Sequence, residues 1–197
     1  LSRREVYATT GPRISLRFFE GYGFQRDDLN FENFVASGYK KGIPMGGELN
    51  AKKDAPPSFL FAAMKDPRGA NLDRLQIVKG WIEKEEMKEK VFNVAWSDER
   101  PVDEEGNITP VGNTVNLEEA TWTDTIGNAV LLGIWSDPEH DPSKAAVYYA
   151  RVLQIPTPRW TLYDKVRFGI KDMDDEIPLS TQERAYSSPI WYKPKKN

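Results

Sequence analysis

Ala145–Ile155 reads AAVYYARVLQI. The stretch is rich in β-branched and aromatic residues and stays apolar on both alternating faces until Arg151 and Gln154. Val147, Tyr149 and Leu153 point one way; Ala146, Tyr148, Ala150 and Val152 point the other. A strand with two apolar faces is covered from both sides, which places it in the middle of a packed β structure. It ends sharply at Ile155-Pro156-Thr157-Pro158, because proline cannot supply the ladder's N–H.

Similar signals recur on either side of it. Glu5–Thr10 reads as a strand broken by Gly11-Pro12, and Arg13–Phe19 alternates Ile14, Leu16 and Phe18 against Arg13, Ser15 and Arg17. Ser58–Lys65 is a further strand, closed by the turn Asp66-Pro67-Arg68-Gly69. Leu75–Ile82 and Lys90–Trp96 read as a hairpin with a solvated, charged tip at Glu83–Glu89. Ala129–Trp135 is short and apolar enough for a buried strand, and Pro189 inside Gln182–Tyr192 assigns that last strand to an edge. Short helices are expected at Leu29–Ala36, capped by Asp28, and at Thr161–Phe168, capped by Thr161 and stopped by Gly169. Ile43–Gly47 and Asp98–Asn113 read as loops, and Asn116 with Glu119 caps a single turn. The pattern predicts a mainly β protein: an antiparallel β-sandwich, immunoglobulin-like, with long loops and one or two short helices.

Composition narrows the function classes. Twenty-seven basic residues against 30 acidic give a net charge of −3, and the only basic cluster is the last few lysines, so no electrostatic footprint for nucleic acid is present. No apolar run approaches the roughly 18 residues of a membrane span, and no signal peptide is evident. The first residue is Leu1, which leads to the expectation of a piece whose natural start lies elsewhere. Cysteine is absent, which removes disulfides, thiolate nucleophiles and zinc–thiolate sites, and a thiol-free chain fits a cytoplasmic or an exported address equally. His140 is the only histidine, so no His-pair metal site can be built from this chain. These absences point away from a self-contained enzyme, and no residue is assigned a catalytic role.

Three constellations of residues bear on function. Asp137, Glu139, His140 and Asp141 form the densest set of possible metal ligands, with Asp137 and Asp141 the candidates. Pro138 and Pro142 share their loop and no glycine opens the turn a calcium loop needs, so a structural turn is the favoured reading. Six tryptophans invite a carbohydrate platform, although most tryptophans in a sandwich of this size are core or interface. In Pro156–Asp164, PTPRWTLYD, a rigid Pro-x-Pro approach presents Arg159 and Trp160, residue types that anchor interfaces or bind carboxylate or phosphate.

Longer strings carry a family likeness. REVYATTGPRI at Arg4–Ile14 resembles the junction between the catalytic barrel and a C-terminal β domain in PHP-type metallohydrolases (the polymerase and histidinol phosphatase superfamily) and their carbaryl-hydrolase-like relatives. PMGGEL at Pro44–Leu49, DPRGANLDRLQIVKGW at Asp66–Trp81, VGNTV at Val111–Val115, YYARVLQIPTPRW at Tyr148–Trp160 and RAYSSPIWYKP at Arg184–Pro194 are similar to the C-terminal segments of a large bacterial family known only as a domain of unknown function. The resemblance implies that residues 1–12 are the end of, and linker from, an absent N-terminal barrel, and that 13–197 form one β-sandwich domain. It also implies that a divalent metal is held in that absent catalytic domain, since the barrel's histidines and acids have no counterpart here. The expected partner is the barrel of the same parent protein, met through the Glu5–Arg13 lead-in and the Arg159–Trp160 loop, with Arg13, Arg159 and Trp160 as contacts. The rival reading is an independent ligand- or carbohydrate-binding module. A free-standing enzyme would have to work with carboxylates alone.

Overall fold

The computed structural model describes residues 2–52 and 56–195; Leu1 and the final Lys196-Asn197 of the sequence reading lie outside the described residues. In chain order the elements are β1 (Tyr7–Thr9), β2 (Ser15–Gly21), α1 (Phe34–Lys41), β3 (Gly42–Pro44), β4 (Glu48–Asn50), β5 (Ser58–Met64), β6 (Leu72–Glu83) and β7 (Glu86–Trp96). They continue with β8 (Val130–Trp135), β9 (Ala146–Gln154), β10 (Thr157–Pro158), α2 (Trp160–Phe168), β11 (Ser180–Thr181), β12 (Arg184–Ser187) and β13 (Ile190–Lys193). The protein is mainly β and forms a sandwich.

The larger sheet has seven strands and is built on β9. Along one side β9 pairs with β6, which pairs in turn with β7; along the other it pairs with β12 and then β13, end to end. β1 extends the sheet beyond β12, and β4 extends it beyond β13 as its one parallel pair. The facing sheet runs β3-β2-β5-β8, all antiparallel, and β10 with β11 makes a separate small pair.

Between the sheets, Phe18 stacks on Phe59 at 5.5 Å, and Phe59 meets Tyr148 of the opposite sheet at 4.7 Å. Each ring is fully buried and stabilises the fold by about 2–3 kcal/mol. Phe92 against Trp135 at 4.9 Å joins the sheets along the β7–β8 side. A smaller cluster of Phe19, Phe24, Phe34 and Leu60 lies on the other face of β2 and β5, beneath α1. There Gly38 permits the approach, since a Cβ would fall 2.7 Å from the Phe19 ring.

The central position of Ala145–Ile155 is as read, but along most of its length its burial is one-sided; on the outer face of β9 only Leu153, near its end, is buried. Ala146, Tyr148, Ala150 and Val152 are buried, whereas Val147, Tyr149 and Arg151 are half-buried on the outer surface of the sheet. Pro189 does not put the last strand on an edge. It breaks one strand into two that both lie beside β9, and at the break the Ala150 N–H donates to Ser187 Oγ at 2.9 Å in place of a ladder carbonyl.

The expected helix at Leu29–Ala36 is displaced: a 3₁₀ turn spans Arg26–Leu29 and α1 begins at Phe34. The Asp28 carboxylate accepts from the Gln25 N–H at 2.7 Å and from Lys41 Nζ at 2.6 Å, so it closes the turn instead of starting the helix. The charged hairpin tip is mostly strand, joined by Lys84-Glu85 with φ of 50° and 66°, the two-residue turn whose twist matches the flanking strands. Ile43 and Pro44 of the expected Ile43–Gly47 loop belong to β3. Thr161 does not cap α2; Arg159 holds that position, and Thr161 Oγ donates to the Pro178 carbonyl at 2.8 Å. Gly169 ends the helix in the left-handed region, as its position implies.

Candidate functional site

Strand alternation carries two charged side chains into the interior. On β2 the inward face runs Leu16, Phe18, Glu20, and on β6 it runs Leu75, Ile77, Lys79, Trp81, with Lys79 opposite Tyr148 of β9. The loop entering β9 delivers Asp137 to the same place. Lys79 Nζ donates to Asp137 Oδ2 at 2.5 Å and to the Glu139 carbonyl at 2.8 Å; Tyr148 OH donates to the same Oδ2 at 2.8 Å. The Glu139 N–H donates to Asp137 Oδ1 at 2.8 Å. Both partners of the ion pair are buried, with side-chain exposures of 8% for Lys79 and 1% for Asp137, so the pair is held in place by its hydrogen bonds as well as by charge.

Glu20 is fully buried, and neither carboxyl oxygen has a hydrogen-bond partner among the described residues. Burial, and secondly the negative charge of Asp137, push its carboxyl up to about 8, so it is a neutral acid at pH 7. Burial and then Asp137 also raise the Tyr148 hydroxyl, and burial followed by Tyr22 and Glu20 pushes Tyr192 up to about 12. His140 packs edge-on against Tyr192 with ring centres 4.7 Å apart, and burial holds its imidazole below the usual value. Chemically the group offers one neutral acid, one clamped ion pair and a phenol. A cleft of about 150 Å³ lined by Lys79, Trp81, Glu139, Asp141, Lys144 and Tyr148 opens beside it.

The candidates read from sequence separate in space and role. Asp137 is an interior acceptor filled by three donors. Asp141 is part-exposed, accepts from the Ser143 N–H at 2.9 Å and Oγ at 2.6 Å, and pairs with Lys144. Among the described residues no group of three or more His, Asp and Glu side chains is placed to hold a metal ion. Arg13 is exposed, and its backbone N–H donates to Asp66 Oδ2 at 2.7 Å. Arg159 lies over the Trp160 ring at 5.8 Å, and Trp160 is 64% exposed. Behind them α2 buries Thr161 and Leu162 while leaving Tyr163, Val166, Phe168 and, past its end, Ile170 exposed.

Composition and motif spacing do not mark Glu20 or Lys79, although each continues an apolar alternation on one face of its strand. Asp73 carries no signal in the sequence either. It is fully buried and accepts from Arg100 Nη2 at 2.6 Å and Gln182 Nε2 at 2.8 Å, with Arg74 as a further partner, which ties the long 98–113 loop to β6.

A family model described as "Protein of unknown function (DUF3604)" matches residues 1–194. No curated protein and no solved structure matches the chain.

Proposed function

Because this chain belongs to the DUF3604 family of proteins of unknown function, we propose, from the resemblance of its longer strings to PHP-type metallohydrolases, that it serves as the non-catalytic β domain of a larger metal-dependent hydrolase. In this reading the sandwich is immunoglobulin-like and packs against a PHP-like barrel, and the divalent metal and its ligands belong to that barrel. The observation that carries the packing half of the proposal is the surface of α2. Trp160, Tyr163, Val166, Phe168 and Ile170 are each exposed along a nine-residue helix and its exit. Large apolar side chains exposed in this number on one short element supply the material of an interaction surface, and Trp, Tyr and Arg are the residue types enriched among interface anchors.

The test is made in the longer protein. Trp160→Ala is expected to loosen the two domains, seen as faster limited proteolysis between them and a lower melting temperature of the barrel. Unchanged proteolysis and melting would remove α2 from the interface. The carbohydrate-module reading gains no support, since Trp160 is exposed whereas Trp81, Trp96, Trp122, Trp135 and Trp191 are half-buried.

A further inference from the structure

We propose that Glu20 is a proton-held latch: while its carboxyl stays neutral, the 136–144 loop remains docked on the sandwich through Asp137, and loss of that proton releases the loop. The loop is fastened from inside. Lys79 Nζ and Tyr148 OH both reach Asp137 Oδ2, Lys79 also holds the Glu139 carbonyl, and His140 rests on Tyr192. The groups that interact with Glu20 are Tyr22 just past β2, Tyr148 from β9, Tyr192 from β13 and Asp137 from the loop, and behind them Lys79 of β6 holds Asp137 and His140 packs on Tyr192.

Lys79 Nζ is already occupied by Asp137 Oδ2 and the Glu139 carbonyl. A charged Glu20 would set a second carboxylate against the negative charge of Asp137 in a place closed to water, with no donor of its own among the described residues. Moving the loop relieves this, because Asp137 leaves and water reaches Glu20. The loop is also the element best able to move, being tied by a few bonds where β2, β6 and β9 are held by full ladders. Its release takes away the wall of the cleft that Glu139, Asp141 and Lys144 form beside Lys79 and Tyr148.

The Glu20 carboxyl is raised from 4.5 to about 8 in the docked state and returns toward 4.5 once wetted. Opening is thus linked to loss of one proton, and the open fraction grows about tenfold per pH unit between those values and levels off above them.

The experiment is native-state hydrogen exchange on the full chain from pH 5 to 9, corrected for intrinsic exchange rates. The Glu139 and His140 amides, which donate to Asp137 Oδ1 and to the Asp137 carbonyl, are followed beside those of β5. The expected result is loop protection well below that of β5, falling tenfold per pH unit up to about pH 8, and flat in Glu20→Gln. A slope that survives in Glu20→Gln, or loop amides that share the β5 protection at every pH, would overturn the latch. Should the Gln variant fail to fold, side-chain carboxyl NMR of the unmodified protein decides: a Glu20 titration near 8 supports the latch, and one near 4.5 overturns it.

Discussion

Removing one partner of the interior ion pair tests how the sandwich tolerates charge. Lys79→Met keeps the length of the side chain and deletes the ammonium, leaving Asp137 with Tyr148 OH and the Glu139 N–H but no counter-charge. Both groups are almost wholly buried, so Asp137 cannot recover hydration. The expected loss is about 3–5 kcal/mol, the range for breaking a buried pair from one side. In a domain of this size that corresponds to a melting shift of roughly 6–20 °C. The double variant Lys79→Met/Asp137→Asn removes both charges while leaving an amide oxygen for Tyr148, and is expected to recover to within about 1–2 kcal/mol of the parent. Asp137→Asn alone strands Lys79 in the same way and is expected to cost a similar amount, about 3–5 kcal/mol, so the two sites should couple by about 4–9 kcal/mol. Urea unfolding followed by tryptophan fluorescence, with a constant m-value, measures all corners of the cycle. If Lys79→Met costs less than about 1 kcal/mol, or if the single effects simply add, the pair is not the fastening described and water must reach Asp137.

Further outcomes follow from other positions. Glu20 binds its proton more tightly folded than unfolded, so its contribution is fully present below 4.5 and is lost as pH rises toward about 8. Release of the 136–144 loop lets Glu20 ionise without global unfolding, so the loss levels off once the loop is open, and Glu20→Gln is expected to remove the slope from the pH profile of chemical denaturation. Gly46→Ala places a Cβ 2.2 Å from the Arg4 carbonyl oxygen at a φ of +86°, and is expected to cost more than about 1 kcal/mol by thermal melting. In the isolated domain Trp160→Ala should change stability by no more than about 0.5 kcal/mol, because the ring is mostly exposed. A larger loss there would mean that α2 is anchored to its own sandwich through this side chain.

Strand periodicity made much of the sandwich readable. β2, β5, β8 and β9 lie where alternation or a bounded apolar run put them, because each such pattern has one good solution when one face must be buried. Misplacements fell where a polar side chain had more than one possible partner. Asp28 looks like a helix cap in sequence, yet Lys41 and the Gln25 N–H, neither visible as neighbours in a one-dimensional reading, draw it into a tighter turn. The hairpin tip is solvated, as its charge implies, but it is not a loop: Glu86, Lys88 and Lys90 carry their charges on strand β7, and only Lys84-Glu85 make the turn. Glu20 was the informative residue left aside: it continues the series Ile14, Leu16 and Phe18, and a carboxyl at that spacing either ends a strand or is driven into its core. The Asp137–Lys79 contact joins positions far apart in sequence, and no local pattern foretells it.

The placement of β12 and β13 beside β9 has a temporal consequence. The strand with the most partners acquires one whole flank only from strands that follow it in the chain, and β1 and β4, which precede it, in turn dock onto those later strands. Segments far apart in sequence must therefore find each other before that flank is satisfied, and pairings of such long range make for slow folding.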